Sequence, residues 1–495
     1  MGMMNFLLPG GLTRESSGEL QRACVAGGPD NMPWPTEVLL QPGHMSVRRS
    51  VDESGCLVVP WEVNGGGRLM GSTGTLMERQ EPYHFRIELA RGKVNQLRSQ
   101  AADWQAGGMT IPPDMQELIR TTSVTFSRAI SQFPLDQGPH PQVVLDLGYQ
   151  TAHRLVALYV EQMFDARHQR QPRLDTGLGC KLGSTTLSPQ QADLLLRAFN
   201  GIHVTLAWNE VEPNEAEYHW EPFDALVEWA KNQSLALAGG PLIDFSGSRL
   251  PSWLWLWQRD LSSLASFMCD YVETVLKRYA GTIRTWQLTN ASNCGAILGL
   301  GEDEFLWLTA RLVEAARQVD PKLELIVGIA QPWGEYMAVE DRTHSPFIFA
   351  DTLIRSGLNL AAIDLELVFG ISPRGSYCRD LLETSRMFDL YSLLGVPLRV
   401  TLGYPSGTGA DPRADPELTI HAGHWRGGIS PPVQAEWAAA FAALALCKPS
   451  VRAVNWVQWT DAGIHQFPHL GLLDPQNQPK PALEQLRILR EKNLR

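Results

Sequence analysis

Glu210, Glu212, Asp244, Glu335, Glu366 and Asp461 stand where apolar, strand-like runs give way to polar loops. Paired carboxyl groups suit one kind of work: one protonates a leaving oxygen while the other attacks an acetal carbon or activates water against it. Retention needs the two about 5 to 5.5 Å apart, inversion about 6.5 to 9.5 Å. By sequence the best placed is Glu335, in Gln331-Pro332-Trp333-Gly334-Glu335-Tyr336, with Asp461 or Glu210 as its partner across a shared opening. Each also has a plainer use as a loop cap, a salt-bridge partner or a helix N-cap.

Aromatic residues make a second constellation. Apart from Trp34, Trp61 and Trp104, all 16 tryptophans fall after residue 175, and Trp208, Trp253, Trp333, Trp425, Trp456 and Trp459 are expected on or near strand-end loops. Flat rings with polar rims are what the C–H face of a sugar stacks on. Trp208, Trp333 and Trp459 are the expected ligand contacts, whereas Trp229, Trp286 and Trp307 read as packing. Two histidine pairs, His421-Ala-Gly-His424 and His465-Gln-Phe-Pro-His469, have spacings that recur in metal sites. Neither has a glutamate in the fixed helical arrangement of a metalloprotease, and Gly423 and Pro468 argue for loops, so no metal is expected. No glycine-rich phosphate loop follows a strand, and no cofactor is expected.

At 495 residues the chain exceeds what one core usually supports, which predicts two domains. A net charge of -11, without a concentrated basic cluster, argues against a nucleic-acid partner. The seven cysteines have no short paired spacing and read as reduced core thiols. The first residues lack a basic segment ahead of Pro9, so no secretory signal is expected. No apolar run approaches the ~20 residues of a membrane span. Together these features predict a cytoplasmic protein.

These side chains need a scaffold. Residues 1–90 read as a β-rich module, with strands expected at Glu37–Leu40, Met45–Val47, Cys56–Val59 and Arg68–Met70. Helical periodicity begins near residue 84, and 91–174 is expected to be a helical segment ending in a linker or hinge at Asp165–Arg173. From 175 to 495, strand-like runs alternate with amphipathic ones, the pattern of βα units. Strands are expected near 178–182, 202–207, 235–242, 284–290, 323–330, 362–369, 397–403 and 453–459. Eight is the number a closed (β/α)8 barrel requires.

Three stretches of this region carry a family resemblance. Trp208-Asn209-Glu210-Val211-Glu212-Pro213, Thr285-Trp286-Gln287-Leu288-Thr289-Asn290-Ala291, and Trp456-Val457-Gln458-Trp459-Thr460-Asp461 followed by Gly471-Leu472-Leu473-Asp474 resemble strand ends of glycoside hydrolase family 10, the xylanases. The resemblance implies a TIM barrel over about 175–495. It also implies where the catalysts should be, and they are missing. The family's Trp-x-x-x-Asn-Glu acid falls on Ala291, and its Ile-Thr-Glu-Leu-Asp nucleophile aligns on Leu402 after Thr401. Residues 391–410 contain no Asp or Glu. In the third strand, Ala238-Gly239-Gly240-Pro241-Leu242 replaces the family's sugar-binding His and Trp. Asn209 and Asn290 persist where the family uses Asn near sugar hydroxyls. The reading is therefore a carbohydrate-binding or regulatory pseudoenzyme. Its alternatives are a glycosidase with relocated carboxylates acting on a small intracellular glycan, and an interaction scaffold with a protein partner.

Overall fold

The (β/α)8 barrel forms with all eight strands near their expected positions: Gly177–Leu182, Gly201–Val204, Ala236–Gly239, Thr285–Asn290, Glu324–Ala330, Ala362–Val368, Leu398–Gly403 and Val451–Trp456. The computed structural model describes residues 2–133 and 138–495. All barrel pairings are parallel; the eighth strand closes onto the first and the third onto the fourth. Strands six and seven are buried along almost their whole length, as expected of strands covered on both sides. A short ninth strand, Ile243–Asp244, pairs with the fourth at Thr289 and Asn290. Sequence periodicity gave no sign of it, because two residues carry no period.

Residues two apart on a strand face the same way, and paired residues on neighbouring parallel strands share a face. Asp364 and Glu366 pair with Arg399 and Thr401, so this set turns toward the barrel axis together. The interior is unusually polar. Thr401 Oγ1 donates to Asp364 Oδ2 at 2.8 Å, and Lys181 Nζ lies 3.6 Å from the same carboxylate. Small residues make room for these side chains: a Cβ on Gly328 would meet Gln287 Nε2 at 2.3 Å and Asn290 Oδ1 at 2.5 Å. Burial, with Lys181 and Arg399 nearby, pushes His203 well below its ordinary pKa and keeps it neutral.

The N-terminal module has two small sheets. Strands Gly2–Leu7, Thr36–Gln41 and His44–Arg49 form most of one, while Cys24–Gly27, Met32–Trp34, Gly55–Val63 and Gly67–Leu76 form the other. The second sheet gains an edge from the barrel, where His424 and Trp425 pair with Arg68 and Gly67. Three helices follow: Phe85–Ala106, Pro113–Gln132 and Pro141–Arg170.

The expected hinge at 165–173 is helical as far as Arg170. Polar composition suggested a linker, but these side chains are anchors. Arg167 donates to Thr176 Oγ1 at 3.0 Å and to the carbonyl of Leu446, and His168 meets Asn493 at 3.1 Å. Further ties join module and barrel: Lys93 pairs with Asp380, and Asp30 accepts from Ser345. One apolar core runs through both parts. All seven cysteines are unpaired, and burial pushes the Cys24 thiol up to about 12. Among the described residues no helix is long and apolar enough to cross a membrane.

Candidate functional site

The carboxyl-terminal ends of the barrel strands surround a cleft with two lobes. Glu366, Gln466 and Phe467 line both. The first lobe, about 100 Å³, is walled by Lys181, Trp208, Asp244, Asn290, Gln458 and Trp459, among others. It opens outward into a wide groove bordered by Asn209, Glu210, Arg413 and His465. The second lobe, about 360 Å³, is lined by Ala291, Gln331, Glu335 and Arg374, and by Arg22 from the N-terminal module.

Glu366 lies at the junction, only 7% exposed. Burial pushes its carboxyl from its ordinary value near 4.5 up to about 7; Asp244 and Asp364 act in the same sense, while Lys181 and Asn290 oppose. Asn290 Nδ2 donates to Glu366 Oε2 at 3.1 Å. Asp244 sits opposite Asn290 in the strand pairing and is 6% exposed. Asp244, Asn290 and Glu366 therefore stand on neighbouring segments of one rim. Sequence reading named Glu366 but ranked it below others. The available signal was Asp364 and Glu366 two apart in an otherwise apolar strand, which puts both on its axial face.

The carboxylates favoured by sequence are engaged elsewhere. Glu335 lines the second lobe but pairs with Arg379 and accepts from the Tyr377 amide at 3.0 Å. Asp461 is 1% exposed and paired with Lys480 at 2.5 Å, and it accepts from Gly471 N at 2.7 Å. Glu210 is bound by Arg249 and by Ser184, each at 2.7 Å. Each of the three is held by a cation and by at least one further donor. Glu212, likewise, accepts from Trp208 Nε1 at 2.7 Å.

Ala291 and Leu402 differ in geometry. Ala291 adopts a left-handed conformation, φ 57°, and lines the second lobe. Leu402 pairs with Leu367 and Trp456, is fully buried, and belongs to the face opposite Thr401. The axial position at the end of the seventh strand is instead Gly403, partner of Val368. A Cβ there would meet Leu470 at 2.6 Å and Val457 at 2.8 Å. Val368, Ile371, Leu418, Phe467 and Leu470 form a separate apolar cluster that fills this side of the mouth.

Among the tryptophans, Trp208 and Trp459 reach the first lobe but are 1% and 2% exposed. Trp208 stacks on Tyr271 with centroids 4.8 Å apart, and Trp459 meets Phe199 edge-on at 6.5 Å. Little of either ring is open to the cleft. Trp333 faces the N-terminal module, under the Arg379 guanidinium at 4.4 Å, beside a small cavity shared with Lys93 and Asp380. Asn209 borders the outer groove and donates to the carbonyl of Ser248 at 3.0 Å.

The histidines serve as ties. His465 Nε2 lies 3.0 Å from Asp411 Oδ2 and its Nδ1 2.8 Å from the carbonyl of Gly463. His469 N donates to the same carboxylate at 3.1 Å. Burial works against it, but the His469 amide and His465 hold Asp411 below the usual carboxylate range. This lock joins the loops that follow the seventh and eighth strands. His421 pairs with Glu19 at 3.3 Å.

Comparison with known proteins agrees with the barrel's type over part of its length. A sequence model of glycosyl hydrolase family 10 matches residues 172–296. Endo-1,4-beta-xylanase C of Paenibacillus barcinonensis is 24% identical over 253 residues, which is 45% of this chain and 22% of the relative. Endo-1,4-beta-xylanase 2 of Claviceps purpurea is 25% identical over 154 residues, 29% of this chain and 45% of the relative. The chain thus spans less than half the length of either. Among solved structures, native xylanase 10B from Thermotoga maritima superposes with a TM-score of 0.47 at 17% identity, covering 66% of this chain and 98% of that one. Over residues 172–296 the barrel's sequence is similar to glycosyl hydrolase family 10.

Proposed function

We propose that the barrel mouth is a carbohydrate-binding site that has lost the two-carboxylate retaining mechanism. One observation carries this reading: the fourth strand offers the mouth a methyl group at Ala291, and the seventh offers Gly403 under an apolar plug. Neither can transfer a proton or form a glycosyl intermediate, and general acid catalysis alone supplies roughly 10² to 10⁴-fold. The polar floor of Lys181, Asp244, Asn290 and Glu366, by contrast, keeps the donors and acceptors that fix a hydroxyl-rich ligand. Calorimetric titration with xylotetraose, beside an assay of xylan hydrolysis, tests it. Saturable binding without turnover is expected. Turnover at the rate of an active xylanase defeats the reading.

A second reading draws support from Glu366. A buried carboxyl held near neutrality, with Asp244 on the adjoining rim, is the arrangement that proton donors of glycosidases share. Glu366 would protonate the leaving oxygen and Asp244 would face the anomeric carbon. Any slow hydrolysis in the wild type should then vanish in Glu366→Gln while ligand affinity persists. Hydrolysis that survives this substitution removes Glu366 from the reaction.

A further inference from the structure

The second lobe is built partly by the N-terminal module. Arg22 ends the short helical turn Leu20–Arg22, and its guanidinium carbon lies 5.8 Å from the centroid of the Tyr377 ring. That ring is a fixed seat, because Tyr377 is fully buried and its hydroxyl donates to Glu19, itself tied to His421.

Most charges around this lobe are already answered. Glu335 pairs with Arg379, and Glu340 pairs with Arg342 at 2.7 Å. Arg374 meets Asp415 and Glu417, each at 2.7 Å. Of the two arginines lining the lobe, Arg22 alone has no carboxylate in contact among the described residues. It shares the cavity with Ala291 and Glu366, so a ligand at the cleft floor extends toward it. At about 360 Å³ the lobe falls in the size range of small-ligand sites. A guanidinium recognises a carboxylate through two parallel hydrogen bonds, and neutral hydroxyls cannot match that interaction.

We infer that the second lobe takes an acidic sugar unit of the uronate class, and that Arg22 is the specificity-determining residue that reads its carboxylate. The inference rests on the carbohydrate-binding reading of the mouth. It also gives the N-terminal module a part in the site.

The test titrates the intact protein with two probes of equal ring number, xylotetraose and a xylotriose bearing one glucuronic acid. The acidic probe should bind about tenfold tighter, as expected for one charge-assisted contact. Arg22→Gln should abolish the preference while keeping xylotetraose affinity, Arg22→Lys should restore part of it, and added salt should narrow it. Equal binding of both probes by the wild type, or an unchanged preference in Arg22→Gln, overturns the inference and leaves the carbohydrate reading standing. Failure of the wild type to bind either probe removes both.

Discussion

The two sides of the barrel mouth differ in what fills them. Around strands three, four and six the rim is polar, with Asp244, Asn290 and a half-neutral Glu366; around strand seven it is Gly403 beneath Val368, Val457, Leu470 and Phe467. In a two-carboxylate enzyme both sides must carry ionisable groups, one for each role. Here an apolar cluster fills one side and buried polar side chains the other. The difference teaches that a side chain at position 403 would find its space already occupied.

The largest expected effect breaks this comparison directly. Leu402→Glu drives a carboxylate into the fully buried outer face of the seventh strand, and should cost on the order of 5 kcal/mol or prevent folding. Gly403→Ala asks the plug to accommodate one methyl and should cost about 1–3 kcal/mol. Denaturant midpoints of the two variants give the ranking. A tolerated Leu402→Glu beside a damaging Gly403→Ala would mean that the faces are assigned the wrong way round.

Asp461→Asn comes next. It leaves Lys480 buried without its counter-charge, at a cost of about 3–5 kcal/mol. Asp461 also holds the Gly471 amide, so the loop that carries Leu470 into the plug should loosen with it. Thermal unfolding measures the loss, and a change under 1 kcal/mol would show that the pair supports nothing on the apolar side.

How much of this was legible in the sequence depended on whether a signal was local. All eight barrel strands were readable, because buried parallel strands are apolar runs and the intervening helices announce themselves by period. The resemblance fixes the register of Ala291 through Trp286 and Asn290 and places Leu402 after Thr401, but which face of the seventh strand looks inward has no local signal; the pairing of Thr401 with Glu366 turns 403 the same way as 401. The carboxylates Glu335, Asp461 and Glu210 looked available for the same reason. Their partners Arg379, Lys480 and Arg249 lie 19 to 44 residues away in sequence, beyond any spacing rule. Arg22 was invisible as a site residue, because it reaches the mouth from another module.

Glu366 sharpens the polar side of the comparison. Its folded-state pKa is raised, so its contribution to stability is full below about pH 4.5 and is lost as pH rises through about 7. Above that, the wild type carries a buried carboxylate penalty on the order of 3 kcal/mol, because burial raises the carboxyl from about 4.5 to about 7. Glu366→Gln should therefore be the more stable protein at pH 8 and close to the wild type at pH 4.5. Melting temperatures across that range check it. Parallel profiles for the two proteins would place the carboxyl in contact with water and take away its claim to special chemistry.

The smallest expected effect separates Asn290 from Glu366. The Asn290 amide donates to the Glu366 carboxyl, and a hydrogen bond that favours the charged form lowers the pKa. Asn290→Ala removes the donor, so the carboxyl should keep its proton to higher pH and the stability step should move up by about one unit, the worth of one hydrogen bond. The same variant opens space between Asp244 and Glu366, and water entering there would shift the step the opposite way. A downward shift would mean that solvation outweighs the lost bond, so the polar rim would be held by water as much as by its own side chains. An upward shift that disappears in the double variant with Glu366→Gln would assign the whole effect to this pair.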